Sequence, residues 1–330
     1  MQYREFGNTD LIVSEVGFGA WAIGGGAMIG NTSIGWGDAD DKTSEQAIQQ
    51  AIDAGINFFD TADVYGLGHS EDILGKTIGR NKNVIIATKV GNVARNEKFT
   101  TDYSKQHIIS ACEQSLRRLK RDCIDFYQLH SARIKQLQEG ECIEAMQYLQ
   151  KEGRVRYWGL SLNTFDPVPE ADYLMNNKLG NGFQLVLNIL NQKALPVLEK
   201  ATEAGYGIIA RMPLQFGLLT GKFNESSVFA FNDHRNKRLT KEIIASTLQL
   251  LQPVWRLCDK LHITRTQLAL SYILSYPGVS TVIPGIRTKE HVINNTSGLI
   301  RLAADEERQW IEQFGKTEFL PLLDLIQKQG

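Results

Sequence analysis

Three times along this chain, a stretch with helical periodicity ends on a glycine and runs directly into a short β-branched and aromatic segment. The three are AIDAGINFFD, LQKEGRVRYWGLS and ATEAGYGIIAR, with Gly55, Gly153 and Gly205 at the junctions. Glycine there reads as the left-handed residue that closes a helix just before the chain turns into a strand. The stretch before the first junction is amphipathic: Ala47, Ile48, Ala51 and Ile52 share one face, and Thr43 with Gln46 has the spacing of a capping box.

Segments of this kind predict eight strands, at 15–20, 55–60, 83–89, 124–130, 155–161, 183–188, 206–211 and 279–284, with helical stretches between nearly all of them. Eight strands alternating with helices, without a break in composition, predict one domain over residues 1–330 built as a (β/α)8 TIM barrel. A doubly wound open sheet is the alternative. The barrel is favoured because no G-x-G-x-x-G opens a βα turn. Ahead of the first strand, QYREF, the turn GNTD and LIVSE predict a β-hairpin that closes the barrel floor.

Lysine and arginine number 36 against 37 acidic residues, a net charge of −1. That balance argues against a nucleic-acid partner, which would ask for a basic excess. No apolar run reaches the roughly 18 residues of a membrane span, and no apolar stretch follows a basic start as in a secretory signal. The four cysteines, Cys112, Cys123, Cys142 and Cys258, form no C-x-x-C pair, so a reduced, cytoplasmic setting is expected. Cys112 shares a helix face with Leu116 and Leu119, which makes it a core residue rather than a nucleophile. A monomer is the default expectation, with an oligomer left open. Two connections are longer than a barrel needs, the glycine-rich 21–42 and the polar 221–239, and both leave strand ends where barrel enzymes keep their chemistry.

Four polar residues sit at or just past successive strand ends: Asp60 and Tyr65 after the second, Lys89 ending the third, His130 ending the fourth. Singly, each could be solvated punctuation. Together, on neighbouring strands that converge on one mouth, they point to a site. A phenol ionises near pKa 10 in water, and an adjacent ammonium eases the loss of its proton. Lys89 can supply that ammonium, Asp60 can keep it charged, and His130 can bond the same oxygen or orient a carbonyl. This is acid catalysis at a carbonyl oxygen. No metal-spaced His/Cys cluster and no G-x-S-x-G elbow offers a competing chemistry.

With FFDTADVYGLGHSE, IIATKVG and LRRLKRDCIDFYQLH in place, the chain from GFGAW to the IPG near residue 285 resembles the aldo-keto reductases. The resemblance implies reduction of an aldehyde or ketone by hydride from a nicotinamide, or the reverse oxidation, with Tyr65 as general acid supported by Asp60, Lys89 and His130. It also implies a cofactor path. Ser161 and Gln184 match residues that hold the nicotinamide amide, Leu162 replaces the usual asparagine, and Asn163 follows it. Arg211 stands at the position of an aromatic that stacks on the nicotinamide, and a planar guanidinium can stack there too. Pro213, Leu214, Gly217, Leu218, Thr220 and Lys222 follow as the pyrophosphate segment. Gly285, Arg287, His291, Asn294 and Asn295 lie in VIPGIRTKEHVINN, which resembles the stretch that grips the adenosine end. Asn295 matches its asparagine, while Asn294 replaces the usual glutamate and His291 a glutamine or arginine. Free N–H groups at the helix start suit a phosphate.

NADP(H) is the implied preference, with NAD(H) possible. Trp21, Trp36 and Phe216 are expected to wall a pocket for a small carbonyl or alcohol substrate. Two other readings stay open. One is an NADP(H)-binding sensor, since channel β-subunits share this scaffold, and the other is an isomerase using Tyr65 and His130 without hydride.

Overall fold

The computed structural model describes residues 1–329. Phe18–Gly19, Phe58–Asp60, Ile85–Val90, Ile124–His130, Val155–Ser161, Gly182–Val186, Gly207–Arg211 and Thr281–Ile283 pair in parallel, each with the next in that order. Bridges Val16–Val282 and Gly19–Gly285 join the last strand to the first. The sheet is therefore a (β/α)8 barrel, and only Val90 and Gly182 fall outside the predicted strand segments, each by one residue. Closure removes the sheet's edges and brings all eight strand ends to one mouth.

Tyr3–Glu5 and Ile12–Ser14 pair antiparallel as the predicted hairpin. Phe6, Leu11 and Val13 pack in one buried cluster with Phe58, Ile85, Ala87, Phe126 and Ile209, so the hairpin plugs the floor. The seat for Phe6 depends on Gly207, where a Cβ would come within 2.5 Å of the ring. Gly55 is left-handed at φ +87°, as are Gly153 and Gly205. The first helix, Asp41–Asp53, is capped otherwise than expected: Asp40 is the cap, and its Oδ2 accepts from Thr43 N at 2.7 Å and from the Thr43 hydroxyl at 2.6 Å. One carboxylate oxygen takes both donors, which leaves the Thr43 hydroxyl spent as a donor. Cys112, Leu116 and Leu119 are buried as predicted, and burial pushes the Cys112 thiol up to about 12, where it is inert.

The two long connections meet over the mouth. His234 N donates to Gly35 O at 3.0 Å, Gly37 N to Asn232 O at 3.2 Å, and the Ser33 hydroxyl to Asn232 O at 2.7 Å. A third element, not foreseen, is the ribbon Asn92–Arg95 with Lys98–Thr101 after the third barrel strand. Its polar, exposed residues carry too little apolar alternation to be read as strands. Among the described residues no helix is long and apolar enough to cross a membrane.

Candidate active site

Alternate residues of a strand face the same side, and the parallel register decides which ones meet at the mouth. Gln128 lies opposite Lys89, His130 opposite Ser161, and Ser161 opposite Gln184. Lys89 is completely buried. Its Nζ donates to Asp60 Oδ2 at 2.6 Å, to Thr61 O at 2.8 Å and to Tyr65 Oη at 3.4 Å. Burial opposes the lysine's charge, but Asp60 and Tyr65 outweigh it and its pKa lies above the usual value, so it is an ammonium at neutral pH.

The other oxygen of Asp60 accepts from Gln184 Nε2 at 2.7 Å and from Gln128 Nε2 at 3.1 Å. Sequence reasoning passed over Gln128. Its signal was parity, because it stands two residues before His130 on an otherwise largely apolar strand and so shares its face. Tyr65 stacks on Trp21 at 5.7 Å between ring centroids and presents an edge geometry to His130 at 6.0 Å. The His130 carbonyl is held by the Tyr103 hydroxyl at 2.6 Å. Burial of the imidazole, then the charges of Lys89 and Arg211, hold its pKa well below the ordinary range. His130 is neutral at pH 7.

Above this cluster opens a cavity of about 790 Å3. Asp60, Tyr65, His130, Ser161 and Gln184 face it at the barrel end, and Lys89 lies directly behind. Trp21, Trp36 and Phe216 line it, joined by His234, whose ring stacks on Trp21 at 4.5 Å. Arg211, Pro213, Leu214, Gly217, Thr220 and Lys222 line it too, as do Gly285, Arg287, His291, Asn294 and Asn295.

Leu218 and Asn163 are not brought to the cavity. Leu218 is buried in the core. Asn163 Oδ1 accepts from Phe165 N at 3.1 Å and Asp166 N at 3.0 Å, so its amide caps a turn and Thr164 and Phe165 form the wall instead. Local bonds to the following N–H groups are the common fate of an asparagine at a strand exit.

Two arginines are held in ways the sequence did not show. Arg211 Nη2 donates to Leu162 O and to Thr164 Oγ1, each at 3.1 Å, and among the described residues it pairs with no carboxylate. Arg287 Nη1 donates to Trp36 O at 3.1 Å and Nη2 to Asp38 O, which fastens the glycine-rich connection to the end of the eighth strand. His291 Nδ1 accepts from Arg287 N at 3.2 Å. The helix Lys289–Thr296 that follows is capped by Thr288.

The family model described as Aldo/keto reductase family matches residues 15–313. The chain belongs to the aldo/keto reductase family. It is an NAD(P)H-dependent oxidoreductase. Aldo-keto reductase YhdN of Bacillus subtilis is 33% identical over 309 residues, which cover 87% of this chain and 85% of YhdN. A probable voltage-gated potassium channel subunit beta of Arabidopsis thaliana is 29% identical, covering 89% of this reductase and 90% of the plant protein. Among solved structures, the holo form of aldo-keto reductase AKR11C1 from Bacillus halodurans superposes with a TM-score of 0.76 at 29% identity, covering 95% of this chain and 96% of the other.

Proposed function

We propose that this reductase converts an aldehyde or ketone to an alcohol with NADPH, or runs the reverse oxidation, and that Tyr65 is its general acid. The observation that carries the reading is the buried Lys89 ammonium, bonded at once to Asp60 and to the Tyr65 hydroxyl at the base of the cavity. The residues present fit a dinucleotide. The cavity is at the large end of ligand pockets, Lys222 and Arg287 bring cationic charge to the end that holds His291, and polar groups stand at the barrel end. The Gln184 amide nitrogen is spent on Asp60 and Gln128, which leaves its oxygen to accept from a carboxamide, while the Ser161 hydroxyl can donate to one. Arg211 would lie against the nicotinamide. When bound, the cofactor supplies the hydride.

The protein's part is the proton. Tyr65 donates it to the carbonyl oxygen as hydride reaches the carbon, and the Lys89 charge stabilises the phenolate left behind. Asp60, fixed by two glutamine amides, holds that lysine in place and offsets the cost of burying it. Neutral His130 can donate one N–H to the same oxygen without competing as an acid. The test is NADPH oxidation, followed by absorbance, with a panel of aldehydes. Turnover is expected, and tight NADPH binding with no turnover of any aldehyde would instead support a sensor. The complete catalytic set favours the enzyme.

Arg287 and Lys222 together suit the extra phosphate of NADP(H). Arg287→Ala is expected to weaken NADPH at least about 10-fold, or roughly 1.4 kcal/mol, and NADH little. Fluorescence titration with both cofactors checks this. Equal losses would show that Arg287 acts through the loop carbonyls of Trp36 and Asp38 and not on a phosphate.

A further inference from the structure

Cationic groups gather in two sets along the cavity wall. After burial, Lys222 and Arg287 depress the pKa of His291. Arg238 has the same effect on His234, again after burial, and its charge is also felt at Arg211. The first pair suits a cofactor phosphate. Arg238 has no such explanation, and it lines the same cavity as Tyr65 and His130. Its guanidinium lies 5.4 Å from the centre of the Phe216 ring. Phe216 in turn packs 6.3 Å from Trp21, the ring that stacks on Tyr65.

The neighbouring arginines already have contacts within the chain. Arg235 pairs with Asp233 at 2.6 Å, and Arg211 spends donors on Leu162 O and Thr164 Oγ1. Arg238 has neither an ion-pair partner nor a hydrogen-bond acceptor among the described residues, although it is half-buried and lines the cavity. Burial alone moves its pKa, downward, and an arginine remains charged through any such shift. A half-buried guanidinium with its donors unclaimed can take an anionic partner from outside the chain.

We propose that Arg238 selects carbonyl substrates bearing a carboxylate, which its free guanidinium fork holds while the carbonyl reaches Tyr65. One open fork matches one planar carboxylate in two parallel bonds. A phosphate dianion would ask for a second free cation, but Arg235 is paired with Asp233 and Arg211 is taken up by the nicotinamide in the reading above. The aromatic wall of Trp21, Trp36 and Phe216 suits an apolar body between the two groups. This inference rests on the carbonyl-reductase reading above.

The experiment compares 4-carboxybenzaldehyde with 4-methylbenzaldehyde in the wild type, Arg238→Met and Arg238→Lys, with NADPH saturating and its Kd measured in each. In the wild type the carboxylate should raise kcat/KM at least about tenfold, mainly through KM. Arg238→Met should abolish that preference while changing the methyl substrate and the NADPH Kd by less than about twofold. Arg238→Lys should restore part of it. Equal losses on both aldehydes, or a weakened NADPH Kd, would assign Arg238 to the cofactor or the loop and overturn the proposal. No carboxylate preference in an active wild type would also overturn it, and would leave the reductase reading intact. Failure of that reading would show instead as no turnover of either aldehyde.

Discussion

Tyr65→Phe is expected to lower kcat for carbonyl reduction at least about 100-fold, roughly 2.7 kcal/mol of transition-state stabilisation, with NADPH affinity nearly unchanged. The substitution removes one oxygen and keeps the ring that stacks on Trp21 and meets the edge of His130. Packing of the wall is thereby preserved, and the lost atom is the one that Lys89 touches at 3.4 Å. Because the hydroxyl matters when charge develops on the carbonyl oxygen more than when substrate first binds, the loss should fall on kcat and leave KM nearly as it was. Lys89 keeps its bonds to Asp60 and Thr61 O in the variant, so a folding defect is not expected. Steady-state kinetics and a cofactor titration on the same preparation decide the matter. Turnover near that of the wild type would remove Tyr65 from the acid's role.

The barrel was legible because its strands are buried on both faces and read as continuous apolar runs, punctuated by glycines that end the intervening helices. The polar ends of those runs, Asp60, Lys89 and His130, stood out against that background. Gln128 did not, because an amide inside a strand looks like an ordinary interruption until parity is counted from His130. Neither did the part of the cavity wall that lies in the second long connection. His234 and Arg238 lie in a polar connection with no periodicity, and their position depends on how 221–239 meets the glycine-rich 21–42, a contact made largely by backbone groups at Gly35, Gly37 and Asn232. Backbone pairing of that kind leaves no side-chain pattern to read. Asn163 shows the converse. Its place in a motif suggested a ligand contact, but the N–H groups of Phe165 and Asp166 claim its oxygen first.

The largest expected effect on stability comes from Lys89→Met, which removes a completely buried cation and leaves the Asp60 carboxylate with only the amides of Gln128 and Gln184. Breaking one side of a buried pair strands the other charge in a low dielectric, at a cost of about 3–5 kcal/mol. The same change removes the group that stabilises the Tyr65 phenolate, so turnover should fall at least as far as in Tyr65→Phe. Stability and catalysis can then be separated by a second substitution. In Lys89→Met/Asp60→Asn no unpaired charge remains, and an asparagine oxygen can still accept from Gln184, so most of the lost stability should return. Turnover should not return, because neither new side chain carries the positive charge. Urea unfolding midpoints and single-turnover rates on the wild type, Lys89→Met and the double variant test both halves. If the double variant is no more stable than Lys89→Met, the penalty comes from lost packing around the lysine and not from a stranded carboxylate. If instead it regains turnover, the ammonium is a structural strut, and the acid chemistry at Tyr65 runs without it.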